Sequence, residues 1–309
     1  MIQQMTAFLA MLFLVLQAPT AHAQKAATAT SNETDEKLEK TLLWKVTGKG
    51  IKPSYVFGTI HMIGADDFFW SDKMKKAFNK TDKLVMEIDM SQMLATSMQM
   101  LKLAPMNDNK QLKDLITAEE YDMVKTYFTE EASAQTKMTP FSMIENWKPM
   151  LVQSMLSTEM IEGPVKMYEM ELTTMAQERE MNFGGLETVA DQMEVFNTIS
   201  YEAQAKILVE TVANLKKGDT GSEDFGKLVD KYKEQDVDGM LEAMAGDLEE
   251  MDGQEALLDN RNRNWIPQIK EMSKKEKTFY AVGAGHLGGE NGVIRLLRKE
   301  GFKVTPVMD

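Results

Sequence analysis

Apolar and polar positions along this chain switch between a two-residue and a three-to-four-residue period, and the switches mark its elements. Residues 42–47 and 55–60 are short, strand-like runs separated by Gly48-Lys49-Gly50 and Pro53, which predicts a β-hairpin. Residues 70–79 take up helical spacing, with Ser71 placed as the N-cap. Residues 83–89 form an apolar strand ending in carboxylates. From residue 91 to about 180 the pattern is helical, broken at Pro105, at Thr139-Pro140 and at Gly163-Pro164. Residues 181–187 read as a short strand with a Gly184-Gly185 turn. Thr188 and Asp191 then make a capping box that opens a long helix. Val189, Met193, Phe196, Ile199, Ala203, Ile207 and Val212 form its apolar stripe, and Gly218 ends it. Two further helices are expected over residues 222–250 and 255–272. A strand (278–282), a glycine-rich turn, a helix (292–300) and a last strand (302–307) complete the chain, the two strands joined as a parallel crossover.

The predicted fold is therefore α/β. A mixed central sheet is built from two β-α-β-type halves, with a helical insertion over about residues 91–180 between them. Ahead of this domain (41–309), residues 1–23 read as a secretory signal peptide. Their apolar run, residues 7–16, is shorter than the roughly 20 residues that span a bilayer. Pro19 and the cleavage pattern Ala21-His22-Ala23 follow it, so that Gln24 would become the first residue. The leader's first six residues carry no Lys or Arg, a departure from the usual pattern. Residues 24–40 are polar and read as a disordered tether. No later segment is long and apolar enough for a membrane span, so the expectation is an exported protein, periplasmic or extracellular.

Composition narrows the function. The chain has no cysteine, which excludes disulfides and cysteine-ligated zinc or iron–sulfur centres. Its net charge of −13 argues against nucleic acid or anionic lipid as a partner, because both need basic patches. The acids over residues 247–255 read as a solvated segment, and Asp236-Val237-Asp238-Gly239 fails the calcium-loop spacing. The 27 methionines fall mostly at helical spacing and read as flexible core filling rather than copper ligands.

Histidine is the informative residue. There are only three, and His22 lies in the leader. The other two each close a Gly-x-x-His tetrapeptide after a strand: Gly58-Thr59-Ile60-His61 and Gly283-Ala284-Gly285-His286. Imidazole serves proton transfer and metal binding near neutral pH, and ligands of α/β folds gather at the carboxyl ends of strands. Each half of the sheet thus presents one histidine, and the expectation is that both face one cleft. The glycines of the second motif also spell G-x-G-x-x-G. That fingerprint wants a nucleotide-binding sheet after it, whereas only one more strand is expected, and His286 stands where backbone should meet phosphate. NAD is not expected.

Glu87 interrupts an apolar run, and a buried carboxylate needs a cation or hydrogen bonds. Two imidazoles and one carboxylate with open positions suit Zn²⁺ or Mn²⁺, which would activate water for attack on a carbonyl. Glu187, on the Gly184-Gly185 turn, reads as a second ligand, a general base or a plain turn residue. Arg261 shares a helix with Trp265 and reads as an oxyanion stabiliser or a surface arginine. H-E-x-x-H and G-x-S-x-G are both absent.

Taken in order, these segments resemble the TraB/GumN family, which includes the animal TIKI metalloproteases. They are the first Gly-x-x-His strand, Leu84-Val85-Met86-Glu87, Gly185-Leu186-Glu187 with Gln192, Arg261-Asn262 with Trp265, the second Gly-x-x-His strand, and Gly301-Phe302-Lys303-Val304. The resemblance implies an α/β fold related to erythromycin esterase and haem-binding ChaN-like proteins. It implies metal-dependent hydrolysis of a peptide or protein substrate, supported by Mn²⁺ or Co²⁺. By motif it implies His61, Glu87 and His286 as metal ligands, with Glu187 and Arg261 as catalytic residues. Haem or metal binding through the same histidines, without hydrolysis, is the alternative.

Overall fold

The computed structural model describes residues 37–219, 222–250 and 253–308. The expected leader and most of the expected tether lie outside the described residues. The tether's last residues do not behave as one. Leu38 is buried, and its N–H donates to Asp238 Oδ2 at 2.8 Å. Lys40 pairs with Glu234 and Asp236.

Among the described residues, eight strands form two sheets: β1 (Leu43–Thr47), β2 (Ser54–Thr59), β3 (Met62–Gly64), β4 (Lys83–Ile88), β5 (Val165–Met167), β6 (Asn182–Glu187), β7 (Thr278–Gly283) and β8 (Lys303–Pro306). The six-stranded sheet has the order β6-β4-β7-β2-β1-β8, and β3 pairs only with β5. β2, β7, β4 and β6 are mutually parallel, while β1 runs against both β2 and β8. β7 and β8 thus point the same way, as their crossover requires, with β2 and β1 lying between them. The two halves read from the sequence interleave: β7, from the C-terminal half, sits between β2 and β4 of the N-terminal half.

That position explains the sequence of the central strands. Every residue of β2 and β7 is buried, as expected of parallel strands covered on both faces. Trp44, Phe57, Phe279 and Tyr280 are wholly enclosed, and Phe57 meets Phe279 across the pair with ring centroids 5.9 Å apart.

Several expected helices divide. The long helix after Thr188 is two, Val189–Thr198 and Tyr201–Lys216, and Ser200 restarts the second by accepting the N–H of Ala203. One apolar stripe crosses this break because both pieces face the same core, so spacing alone could not reveal it. Residues 222–250 split into Ser222–Lys233 and Val237–Glu250 around Gln235, which has a left-handed φ of 58°. The helix expected over residues 255–272 is a π-helical turn, Gln254–Asp259, running into helix Asn260–Lys275. The Thr188–Asp191 capping box forms as read. Ser71 stands at its N-cap position, yet its side chain makes no capping bond.

The adjacency of β2 and β7 places the two Gly-x-x-His motifs side by side, with Thr59 opposite Gly283 in the register. A Cβ on Gly58 would lie 2.9 Å from Leu287 Cδ1 and 3.1 Å from Ala284 Cα, so the first motif's glycine lets the second pack against it. Gly58→Ala should therefore destabilise the fold by about 1–3 kcal/mol, read as a fall in Tm of several degrees by circular dichroism. Gly226→Ala, in a helix with nothing within 4 Å of the added carbon, should leave Tm unchanged or raise it slightly. Equal effects from the two substitutions would contradict the packing described.

Candidate active site

All five residues singled out from the sequence meet at the carboxyl ends of β2, β4, β6 and β7. His61, Glu87, Arg261 and His286 line one cleft of about 70 Å³. Glu187 lies behind them, bonded to Arg261.

Glu87 is at the centre. It lies within the buried run of β4, between Met86 and Ile88, and is 3% exposed. Its Oε1 accepts the backbone N–H of Gly283 at 2.8 Å. Its Oε2 accepts from Arg261 Nη2 at 2.5 Å and from Gln192 Nε2 at 3.3 Å. Burial by itself would raise the carboxyl's pKa. Arg261, with smaller help from the imidazoles and the Gly283 N–H, outweighs burial and brings it down to about 2.

The two histidines approach Glu87 alike. Each holds Nδ1 on a protein oxygen and turns Nε2 towards Glu87 Oε1, at 4.0 Å for His61 and 3.8 Å for His286. His61 Nδ1 donates to Glu169 Oε1 at 2.7 Å, and the same oxygen accepts from Thr59 Oγ1 at 2.9 Å. His286 Nδ1 donates to Asn262 Oδ1 at 2.7 Å. Arg261 has no acceptor atom, so its Nη1 contact of 3.1 Å to His286 Nε2 assigns the proton of that ring to Nδ1. The surroundings nevertheless differ. Burial, reinforced by Arg261, lowers the pKa of His286 to about 3, which keeps it neutral. Burial also disfavours charge on His61, but Glu169 more than compensates and raises its pKa.

Local backbone aims these rings. His61 itself is left-handed, with φ 57°, a conformation costing about 1–2 kcal/mol for a residue with a Cβ. It is held there by the β3–β5 pairing, whose register continues into a bond from Tyr168 N to His61 O. A Cβ on Gly283 would sit 2.8 Å from His61 Nε2. Glycine there leaves room for the other motif's imidazole.

Arg261 differs from its expected role. Its Nε and Nη2 clasp Glu187 at 2.8 and 3.2 Å, Nη2 also reaches Glu87, and Nη1 reaches Leu257 O and His286. Those contacts engage all five of its N–H groups, so none is left for an oxyanion unless a contact is given up. Glu187 also accepts from Trp265 Nε1 at 2.6 Å. Burial, opposed by Arg261, leaves its pKa raised. Glu187 is placed to hold Arg261 rather than to reach the cleft.

Glu169 is the residue the sequence reading missed. It is 2% exposed, and its Oε2 is buried without a hydrogen-bond partner. A signal existed. On helix Tyr168–Glu178, Glu169 shares the buried face with Leu172, Thr173 and Ala176, where a carboxylate needs a reason.

Among the described residues no group of three or more His, Asp and Glu side chains forms a ready-made metal cage. The donor chemistry fits a metal all the same: two imidazoles fixed through Nδ1, as metal-bound histidines are, beside an ionised carboxylate. The Nε2–Oε1 separations of 3.8 and 4.0 Å exceed the roughly 3.0–3.4 Å edge expected from ~2.1 Å bonds. Holding an ion would therefore require each ring to move closer to Glu87 and Arg261 to leave His286 Nε2.

Glu87's ionised form should stabilise the metal-free fold above its ordinary pKa of 4.5. That contribution should be lost as pH falls through its folded value of about 2. Urea unfolding of chelator-treated wild type and Glu87→Gln should accordingly show the largest stability difference above about pH 4.5, closing on acidification. A difference that widens towards pH 3 would mean that Glu87 is not held as an anion.

The relatives of this chain carry matching names. The metalloprotease TIKI1 of Homo sapiens is 23% identical over 85% of this chain and 61% of its own length. TIKI1 of Xenopus tropicalis is 22% identical over 96% of this chain and 67% of its own, and the TIKI homolog of Amphimedon queenslandica is 22% identical over 91% and 64%. The chain thus spans about three-fifths to two-thirds of these relatives. No solved structure matches it. The profile of one family matches residues 42–306, from the start of β1 to the end of β8 and across every residue of the cleft, and the chain belongs to the TraB/PrgY/gumN family.

Proposed function

We propose that this protein is a metal-dependent hydrolase that cuts peptide bonds, directed to the periplasm or cell exterior by the leader expected at residues 1–23. The observation that carries the reading is the paired presentation of His61 and His286, each fixed through Nδ1 and turned through Nε2 towards the anionic Glu87. Relatives named as metalloproteases support the reaction class, at 23% identity or lower.

His61 Nε2, His286 Nε2 and Glu87 would hold a divalent ion of the Mn²⁺, Co²⁺ or Zn²⁺ kind. When bound, such an ion polarises a carbonyl and makes water a nucleophile at neutral pH. The protein's own residues prepare for it. Glu169 and Asn262 fix the tautomer and direction of the two rings, so that Nε2 points into the cleft. Neutral His286 offers a lone pair at Nε2, and Glu169 raises the pH at which His61 does the same, so affinity for the ion rises with pH. Glu187 and Trp265 hold Arg261 against Glu87, which keeps the carboxylate ionised. The apolar walls of the cleft exclude bulk water and strengthen these charge interactions.

Activity of the full chain on a peptide library should require added Mn²⁺, Co²⁺ or Zn²⁺ and vanish with a chelator. Glu169→Gln should weaken metal affinity roughly 10–100-fold, as loss of an orienting partner does, measured by calorimetric titration of the ion. If hydrolysis survives in both His286→Ala and Glu87→Ala, the reading is wrong. One observation favours a second route. Arg261 already occupies the cation's place beside Glu87 and His286, and His61 with Glu169 forms an imidazole–carboxylate dyad of the general-base kind. Hydrolysis that persists after chelation and is lost in His61→Ala would select this route.

A further inference from the structure

The cleft has two unlike walls. One is the charged cluster of His61, Glu87, Arg261 and His286. The other is apolar and comes from separate elements: Val195 and Phe196 on helix Val189–Thr198, Leu228 on helix Ser222–Lys233, Met240 and Met244 on helix Val237–Glu250, and Leu258 on the π-helical turn. The residue types alone leave this wall without a charge or a hydrogen-bonding side chain. One polar atom is added at the boundary. Gln192 lines the cleft and spends its amide N–H on Glu87, and its Oε1 is buried with no hydrogen-bond partner. A buried amide oxygen left unpaired is costly, and a ligand's N–H would offset that cost.

We propose that this cleft is a side-chain subsite for one aliphatic or methionyl residue of a peptide, whose backbone N–H donates to Gln192 Oε1. The proposal rests on the hydrolase reading only for the bond that is cut. Three observations set the ligand class. The wall is apolar, so it takes an uncharged side chain. Glu87 lines the same cleft with both carboxylate oxygens already on donors, so it offers an Asp or Glu side chain no partner. The unpaired acceptor calls for an N–H donor, which a secondary amide has and an ester lacks.

Volume sets the size. The cleft holds about 70 Å³, about half the volume of an apolar cavity of ~150 Å³ that binds benzene. A rigid Phe ring is disfavoured there, and the narrower, flexible chain of Leu or Met is the better match. Met244 sets that limit from one side. It is 6% exposed and packs against the second motif, its Cε lying 3.2 Å from where a Cβ on Gly285 would be. Methionine is the side chain best able to shift around a variable guest, so tolerance among Leu, Ile and Met is expected.

The test uses the full chain, treated with chelator, and blocked peptides acetyl-Ala-X-Ala-amide with X = Leu, Met, Phe or Asp, binding being read by calorimetry. Leu and Met peptides should bind at least roughly 10-fold more tightly than Phe or Asp, the scale on which an apolar pocket discriminates. Methylation of the backbone nitrogen of X should remove most of that affinity. Met244→Ala should bring the Phe peptide level with or above Leu while Asp stays excluded. Equal binding of all four peptides, or a Phe/Leu ratio unmoved by Met244→Ala, overturns the proposal. The same peptides incubated with Mn²⁺, Co²⁺ or Zn²⁺ separate the two ideas. Selective binding without cleavage under any ion supports the subsite and sinks the hydrolase reading, whereas cleavage indifferent to X does the reverse.

Discussion

A single buried negative charge organises this molecule. Glu87 sits buried on β4, between β6 and β7 in the sheet, where an unpaired carboxylate would cost several kcal/mol. Its compensation comes from parts of the chain far apart in sequence: the Arg261 guanidinium, the Gly283 N–H at the end of β7 and the Gln192 amide. To keep one charge in the core, a helix from the C-terminal third, a central strand and the helix after β6 must all close on the same point. The fold is therefore complete only when the site is. Arg261 carries a second buried anion, Glu187, on its other edge, and removing it would leave two carboxylates exposed to each other in a low dielectric.

The two Gly-x-x-His motifs are one structural device. β2 and β7 lie in register, and each motif's glycine makes room for the other: Gly58 for Ala284 and Leu287, Gly283 for His61. Any side chain at either position would push the two motifs apart, and with them the histidines that flank Glu87. The strain at His61 belongs to the same device. A left-handed residue at the end of a strand turns the ring back over the sheet, and the small β3–β5 sheet holds it there.

Asymmetry between the histidines follows from their second partners. Burial and the nearby Arg261 cation keep His286 uncharged, and Asn262 at its Nδ1 is only a neutral acceptor. Glu169 is an anion against Nδ1, so His61 holds a proton more readily. Two tetrapeptides of one Gly-x-x-His pattern thus present chemically different imidazoles to one carboxylate, a difference set chiefly by Glu169, Asn262 and Arg261, outside the motifs.

Much of this was legible in the sequence, and the reasons are local. Strands β1, β2, β4, β7 and β8 announce themselves by apolar runs bounded by glycine and proline, and the capping box at Thr188 needs only four residues to be recognised. Glu87 was legible because a charge inside an apolar run has to be explained, and the histidines because they are scarce and repeat one motif. What tertiary structure alone decided is how these parts pair. The interleaving of β7 between β2 and β4, the breaks within apparently continuous helices, and the commitment of every Arg261 donor to partners already in place all depend on contacts between distant segments, on which periodicity is silent. Glu169 shows the limit most plainly. A three-residue strand, too short to carry a pattern, delivers it to His61, and a buried carboxylate on an amphipathic helix acquires its meaning only from the ring it touches.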